Sequence, residues 1–246
     1  FIKDRSKEIR DITPYSVPHI DCKVKLDGNE SPFSLPQDVQ DKVNKAVKEI
    51  EINRYPDPEA ERLIEIVSKV SEFPKDGILL GNGSDELIGM LITTLTSGTG
   101  KVLCPTPSFS MYKLAALAMG AEVLEIPLDE NFDLDLDSTL KLIQEEDPDL
   151  IFLASPNNPT GNMYSASKIA EIISVAKGVC VVDEAYSDFS GYTFLPLVRE
   201  CKNLVILRTL SKVGFAGLRI GMLFASEDLV TEINKARYPY NINSLS

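Results

Sequence analysis

Hydrophobic residues along this chain follow two kinds of spacing, which alternate from Ile78 onward. Short apolar runs such as Leu150 to Ala154 are typical of strands buried on both faces of a sheet. Longer segments with apolar residues three or four positions apart, as from Ala166 to Ala176, predict amphipathic helices. Repeated strand–helix units predict an α/β fold with a mainly parallel sheet flanked by helices. The predicted strands are Ile78 to Leu80, Lys101 to Cys104, Glu122 to Ile126, Leu150 to Ala154, Val179 to Val182, Leu204 to Leu207 and Ile220 to Phe224.

The segment before the first predicted strand has a different pattern. Residues 1–36 are polar and interrupted by prolines, which predicts an extended N-terminal arm. Amphipathic helices are predicted next, from Gln37 to Ile50 and from Glu59 to Phe73. We therefore divide the chain into an arm, residues 1–36, and one large domain, residues 37–246.

Charge and hydropathy narrow the classes of partner. The 246 residues include 25 Lys and Arg against 37 Asp and Glu, a net charge of −12. This balance argues against nucleic acid or an anionic membrane as a partner, because both attract basic surfaces. The sequence has no apolar run long enough for a membrane span and no apolar core of a signal peptide near Phe1. We expect a cytoplasmic protein.

The cysteines and the histidine limit the kinds of catalytic and metal sites that the chain could form. The four cysteines form no CxxC pair, which favours buried reduced thiols over a disulfide or a metal site. His19 is the single histidine, so serine–histidine catalysis and multi-histidine metal sites are nearly excluded. The acidic segment 129–137 lacks the glycine and terminal glutamate of an EF-hand loop and is interpreted as solvated. We predict no metal site.

Polar clusters follow the predicted strands, where ligands bind in open α/β sheets. The segment Gly81 to Asp85 joins a strand to a helix, and its glycines and free N–H groups suit a phosphate. An ordinary strand–helix turn with a capping side chain explains this segment equally well. Asp183 ends an apolar strand, where a carboxylate is costly unless it is paired with a cation such as a pyridinium. A structural or metal-binding role for Asp183 stays open.

Four further residues complete a chemical set at these strand ends. Asn157 and Tyr186 could donate to a phenolate oxygen, or serve a turn and packing. Lys212 offers a nucleophilic amine, and Arg219 a bidentate clamp for phosphate, although either alone is more often a surface charge. With Asp183, these side chains form the set needed to hold pyridoxal phosphate (PLP) as an electron sink.

These segments together resemble the class I/II, fold-type I PLP-dependent aminotransferases, and within them the histidinol-phosphate aminotransferase branch. The resemblance spans nearly the whole chain. It implies the aspartate aminotransferase-like large domain. The motifs that carry it are Leu26–Phe33, Arg54–Asp57, Gly83–Glu86, Pro105–Phe109, Ser155–Gly161, Asp183–Tyr186, Thr209–Lys212 and Gly217–Arg219.

The resemblance assigns roles to individual residues. It implies that Lys212 holds the PLP aldehyde covalently and that Asp183 pairs with the ring nitrogen. Tyr186 and Asn157 then bond the phenolate oxygen, and Phe109 stacks on the ring where relatives often have tyrosine. Lys212, Asp183 and Tyr186 are the implied catalytic residues. The remaining residues implied around the cofactor phosphate are Gly83, Ser84, Asp85, Thr209, Ser211 and Arg219.

The resemblance also implies partners. Tyr55 would reach the phosphate of the neighbouring subunit, which implies a homodimer with shared active sites. The implied reactants are a small-molecule amino donor and a keto-acid acceptor. These are histidinol phosphate and imidazole-acetol phosphate with glutamate and 2-oxoglutarate, a step of histidine biosynthesis. A PLP lyase such as a threonine-phosphate decarboxylase, and a non-catalytic protein of this fold, are the alternatives.

The sequence departs from these relatives in two places. Arg219 follows Lys212 after one residue fewer than in many of them, so its phosphate contact is less firmly implied. Relatives also continue into a C-terminal small domain that supplies the arginine for the substrate carboxylate. That domain is absent from this sequence, and we expect the sequence to be part of a longer polypeptide.

Overall fold

The computed structural model describes residues 20–25, 27–97 and 99–246. The predicted arm therefore lies partly outside the described residues. His19 and Leu26 are among the residues of the arm that are not described. Its described part, 20–25 and 27–36, forms neither helix nor strand and is mostly exposed. The division between an arm and a large domain stays a prediction.

A seven-stranded sheet forms the centre of the molecule, as the alternation of apolar runs predicts. Its order is β1-β7-β6-β5-β4-β2-β3. Only β7 runs antiparallel to its neighbours, β1 and β6, so the sheet is mainly parallel. The strands are β1 (Ile78–Asn82), β2 (Lys101–Thr106), β3 (Glu122–Pro127), β4 (Leu150–Ala154), β5 (Val179–Asp183), β6 (Leu204–Thr209) and β7 (Ile220–Phe224).

Helices cover both faces of the sheet, since parallel strands need crossover connections. The described residues place no helix long and apolar enough to cross a membrane. The α-helices are α1 (Gln37–Lys48), α2 (Glu61–Ser71), α3 (Ser84–Thr96), α4 (Met111–Ala118), α5 (Leu136–Glu146), α6 (Ala166–Val175), α7 (Ser187–Ser190) and α8 (Glu227–Asn234).

Short helical turns follow the strands β5 and β6, and the sequence pattern did not predict them. They are too short to repeat an apolar spacing, so periodicity cannot detect them. Besides α7 they comprise a 3₁₀ turn (Leu195–Arg199), a π-helical turn (Ser211–Phe215) and a second 3₁₀ turn (Ala216–Leu218).

Two hydrophobic clusters, one on each face of the sheet, hold the layers together. Alternate residues of β5 enter opposite clusters: Cys180 and Val182 lie in one, and Val181 in the other. All three are fully buried. Each large apolar side chain buried in this way contributes about 1.5–3 kcal/mol to stability. The central strands are therefore rigid supports for whatever follows their carboxyl ends.

Candidate functional site

A cavity of about 210 Å³ opens at the carboxyl ends of the central strands. Strand register explains why its walls come from distant parts of the chain, because Asp183 is level with Ala154 on β4 and Leu207 on β6. The turns that follow these strands therefore meet at one edge of the sheet. Of the predicted site residues, those that line the cavity are Ser84, Asp85, Phe109, Asp183, Tyr186, Thr209, Ser211, Lys212 and Arg219.

One end of the cavity is built around the carboxylate of Asp183, which is 5% exposed. Its Oδ1 accepts a hydrogen bond from the backbone N–H of Ala185 at 2.9 Å, and its Oδ2 accepts one from the Tyr112 hydroxyl at 2.7 Å. Burial raises the pKa of Asp183, and the two donors act in the opposite direction. Among the described residues no cationic side chain contacts it. A buried carboxylate with neutral donors alone suits a cationic ligand atom.

Tyr112 is the residue at this end that the sequence analysis missed. It is 1% exposed, and its ring stacks on Phe152 with centroids 4.5 Å apart. Phe109 meets the same ring edge-on at 5.4 Å. Burial, followed by the charge of Asp183, raises the pKa of Tyr112 well above its usual value, so the phenol stays protonated and donates. Its position among apolar residues of α4 gave only a packing signal.

Lys212 lies on another wall of the cavity, in the π-helical turn after β6. Gly214 has φ +98° two residues later, which lets the chain turn back toward β7. The Lys212 Nζ lies 5.5 Å from the centroid of the Tyr186 ring, so amine and phenol share one wall. The Tyr186 hydroxyl accepts a hydrogen bond from Asn29 Nδ2 at 3.0 Å. Asn29 belongs to the arm, and no individual role is predicted for it from the sequence.

The opposite end of the cavity contains the amino terminus of α3 and the side chain of Arg219. Ser84 and Asp85 form the first turn of α3, where unpaired backbone N–H groups and the helix dipole attract anions. The Arg219 side chain is 43% exposed and reaches Asp85 Oδ2 at 3.3 Å and Ser211 Oγ at 3.4 Å. These donors form a polar, open end that suits a phosphate group.

Close backbone packing explains the glycine before α3. Gly83 has φ +80°, and a Cβ there would lie 2.5 Å from Arg219 Nη2. The Gly83 N–H donates to the carbonyl oxygen of Arg219 at 2.7 Å. Gly221 on β7 packs against the same turn, since its Cβ would lie 2.5 Å from the backbone of Gly83. Gly83 does not line the cavity; it sets how closely Arg219 approaches α3.

Thr209 supports the turn that carries Ser211 and Lys212. It is 5% exposed, and its hydroxyl is 2.9 Å from Ser211 Oγ and 3.1 Å from the carbonyl oxygen of Ile220. Its oxygen also accepts the Ser211 N–H at 3.1 Å. These contacts join β6, β7 and the turn, and they orient Ser211 toward Arg219.

Asn157 lies beside the cavity rather than on its wall. It is 2% exposed, and its Nδ2 donates to the Pro107 carbonyl oxygen at 3.0 Å and to Thr160 Oγ1 at 2.8 Å. Its Oδ1 accepts from Ser108 at 2.8 Å. Both amide hydrogens are thus used within the neighbouring turns. The adjacent Asn158 lines the cavity instead.

Tyr55 lies outside this cavity. Its side chain is 82% exposed and stacks on Tyr240 with ring centroids 4.7 Å apart. Both rings border a surface groove with Ile50, Ile52 and Leu245. Tyr55 therefore takes no part in the cavity of its own chain. Its contact with the phosphate of a neighbouring subunit stays a prediction.

The arrangement suits a flat ring with a cationic nitrogen at one end, a phosphate at the other and an aldehyde near an amine. Asp183 would be the counter-ion for such a nitrogen, Lys212 would supply the amine, and α3 with Arg219 would receive the anion. Phe109 provides an apolar ring on the cavity wall. PLP has these groups, so the residues present fit this cofactor.

Comparisons with known proteins agree with this fit. A sequence model of the family "Aminotransferase class I and II" matches residues 21–246. A histidinol-phosphate aminotransferase from Aquifex aeolicus is 40% identical over 237 residues, 96% of this chain and 66% of the relative. The chain thus spans about two-thirds of the length of this curated relative.

Solved structures give the same fold. The histidinol-phosphate aminotransferase from Clostridium acetobutylicum is 27% identical, with a TM-score of 0.78 over 88% of this chain and 65% of that one. An L-threonine-O-3-phosphate decarboxylase from Porphyromonas gingivalis is 25% identical, with a TM-score of 0.69 over 83% and 65% of the two chains. The same architecture thus carries more than one reaction among its relatives.

Proposed function

Because the chain belongs to the family of class I and II aminotransferases, we propose that it uses PLP to transfer an amino group from a small-molecule donor to a keto acid. The observation that carries this proposal is one cavity that joins the Lys212 amine to the buried carboxylate of Asp183. Asp183 ends β5 and Lys212 follows the neighbouring strand β6, so the sheet brings amine and carboxylate to one edge. A buried carboxylate with a raised pKa in such a cavity is typical of a functional site.

Bound PLP supplies an electron sink for the bond that breaks at the substrate Cα. The residues of the chain bind, orient and transfer protons. Asp183 pairs with the ring nitrogen and keeps its proton in place. Lys212 Nζ would hold the cofactor through its aldehyde, and the same amine, once free, would be the base that takes the proton from the substrate Cα and carries it to the cofactor.

The remaining residues orient the cofactor. Arg219, Ser211 and the first turn of α3 are proposed to bind the phosphate. Tyr186 is proposed to donate to the ring oxygen, since its hydroxyl stands on the same wall as Lys212. Asn157 is proposed to do the same, which requires its amide to release Pro107 or Thr160.

The proposed reactants are histidinol phosphate and imidazole-acetol phosphate, with glutamate and 2-oxoglutarate as the second pair, in histidine biosynthesis. Support comes from the histidinol-phosphate aminotransferase of Aquifex aeolicus, which is 40% identical over 96% of this chain. Because the chain spans about two-thirds of these relatives, the substrate arginine of the C-terminal small domain is proposed for the full-length protein.

A homodimer and a cytoplasmic location are part of the same proposal. The exposed Tyr55 and its apolar groove leave a phenol available to a second subunit. The four cysteines are all free, in keeping with a reducing compartment. Sedimentation of the full-length protein tests the first point, and a dimeric mass is the expected result.

Decarboxylation of a phosphorylated amino acid is the second candidate, favoured by the fold shared with the Porphyromonas decarboxylase. A non-catalytic role is the third. Full-length protein loaded with PLP should be mixed with glutamate, histidinol phosphate or threonine phosphate, and the cofactor absorbance followed. Transfer predicts conversion to the amine form and a keto product, reversed by 2-oxoglutarate. Release of carbon dioxide indicates the decarboxylase, and no spectral change with any amine indicates the non-catalytic protein.

A further inference from the structure

The hydrogen bond between Tyr112 and Asp183 joins helix α4 to strand β5 at the Asp183 end of the cavity. On the basis of the cofactor site proposed above, we propose that Tyr112 is a positioning residue whose hydroxyl fixes Asp183 Oδ2 and keeps that carboxylate charged, so that the proton between the two groups stays on the cofactor's ring nitrogen. Tyr112 itself acts through Asp183 and not on the substrate.

Packing holds the Tyr112 hydroxyl in one place. The ring stacks on Phe152 of β4 (centroid distance 4.5 Å, interplanar angle 4°) and makes a T-shaped contact with Phe109 (5.4 Å, 84°). Both the phenol and the carboxylate are almost fully buried, and their oxygens are 2.7 Å apart. A hydrogen bond to a charged acceptor in such a dry place is strong and strictly oriented.

The charges around Asp183 make this donor necessary. Asp85 and Glu184 both disfavour its ionised form, and only the Ala185 N–H and the Tyr112 hydroxyl favour it by direct hydrogen bonds. Glu184 is itself engaged by Arg208 at 2.9 Å. The other titratable groups nearby are Cys104 and Tyr164, which adjoin Tyr112, and Glu30, Tyr186, Lys212 and Arg219, which line the cavity.

The position of the shared proton depends on which partner is the stronger base. When Tyr112 donates to Oδ2, it withdraws charge from the carboxylate and weakens it as a base. Without the hydroxyl, the carboxylate becomes a stronger base and draws the proton away from the ring nitrogen. The cofactor would then lose the positive charge that makes it an electron sink.

Tyr112→Phe removes only the hydroxyl, and the affinity of the full-length protein for PLP should be measured against pH. Binding the protonated ring requires an ionised Asp183, so affinity falls on the acid side of the Asp183 pKa in the empty protein. Loss of one hydrogen bond to a charge should move this acid limb up by about one pH unit.

Tyr164→Phe is the matched control, because Tyr164 is a 2% exposed tyrosine near Tyr112 whose hydroxyl makes no hydrogen bond to Asp183. Its removal should leave the acid limb in place. Replacing Tyr112 by 3-fluorotyrosine keeps the shape and strengthens the donor, so the limb should move down. The 3-fluorotyrosine variant also tests the role of Tyr112 if Tyr112→Phe does not fold.

The ¹⁵N signal of ring-labelled PLP gives a readout separate from affinity and from catalysis. The signal should indicate a protonated nitrogen in the unmodified protein and in Tyr164→Phe, and a shift toward the neutral form in Tyr112→Phe. An unshifted limb and an unshifted nitrogen signal in the Tyr112 variants would overturn the role of Tyr112. Failure of the unmodified protein to bind PLP would instead overturn the proposed function.

Discussion

The two ends of the cavity are built in opposite ways. At the Asp183 end, a 5% exposed carboxylate accepts bonds of 2.7 and 2.9 Å from groups locked in the core. At the Arg219 end, the guanidinium of a side chain that is 43% exposed makes two long contacts of 3.3 and 3.4 Å. The first end is organised before any ligand arrives, because burial and aromatic stacking fix it. The second is an open set of donors that a bound anion would draw together.

Because of this difference, substitutions at the buried end should affect the reaction, and substitutions at the open end should affect binding. A change at the buried end alters a group whose charge controls the reaction. A change at the open end removes part of a clamp that solvent and neighbouring donors partly replace.

Asp183→Asn should separate activity from stability. Turnover by the full-length holoenzyme should fall about 10²- to 10³-fold, since one buried charge that stabilises the reacting system is lost. Burial raises the pKa of Asp183 in the folded protein above its unfolded value of about 3.9. Folding is therefore favoured by the neutral side chain below this pH, and that contribution to stability is lost as the pH rises through the pKa of the folded state. The cofactor-free variant should therefore be as stable as its parent near pH 4 and more stable at pH 8.

Urea unfolding at both pH values and steady-state rates check this prediction. Equal losses of stability at the two pH values would mean that Asp183 is a packing residue. Retained turnover would mean that the buried end does not carry the chemistry.

Arg219→Ala should weaken PLP affinity about 10- to 100-fold, through loss of a charge-assisted clamp on phosphate. Stability without cofactor should change by less than about 1 kcal/mol, because the side chain is exposed and its ion pair is screened. Arg199→Ala provides the control, as an arginine at the end of a 3₁₀ turn and away from the cavity. Equal affinities of the two variants, by fluorescence titration, would place the phosphate elsewhere.

Gly83→Ala should weaken PLP affinity roughly tenfold, because the new methyl group displaces the guanidinium of Arg219. Gly191→Ala is the control for a positive φ: its φ is +67° with ψ 13°, against ψ 164° at Gly83, and nothing lies within 4 Å of an added Cβ. Both variants should lose about 1–3 kcal/mol of stability from backbone strain. Only Gly83→Ala should lose affinity, and a loss in both would show that strain alone is responsible.

Asp85→Asn should tighten binding of PLP, or of inorganic phosphate, about two- to fivefold. The carboxylate pairs with Arg219 at 3.3 Å and competes with an incoming anion for it. Isothermal titration in low salt measures the change. Weaker binding in this variant would mean that the carboxylate orients the clamp rather than opposing the ligand.

Sequence patterns predicted the central strands and which polar side chains follow them, because each strand is a strongly apolar run and the polar residues begin where the run ends. Asp183 stands out as a carboxylate after Val179 to Val182, and its place on the cavity wall follows directly from strand order. The strand prediction stopped one residue earlier than β5, since a charged residue interrupts the apolar run.

Contacts between residues far apart in the chain could not be predicted from sequence patterns. The Tyr112 hydroxyl meets Asp183 across 71 positions of chain, and the spacing within α4 indicates only that its ring is buried. The Asn29 contact to Tyr186 spans 157 positions and depends on how the arm lies over the cavity. Asn157 looked like a donor to a ligand, yet the turns around Pro107 and Thr160 use its amide, which only their folded geometry reveals.

Covalent attachment of the cofactor is the central claim, and borohydride reduction of the full-length holoenzyme tests it most directly. Reduction fixes a lysine-bound PLP to the polypeptide, and peptide mapping then locates it. The structure predicts a single label on the peptide that contains Lys212, absent from Lys212→Ala and unchanged in Lys113→Ala, whose lysine pairs with Glu125 away from the cavity. A label on any other lysine, or no label, would contradict the account.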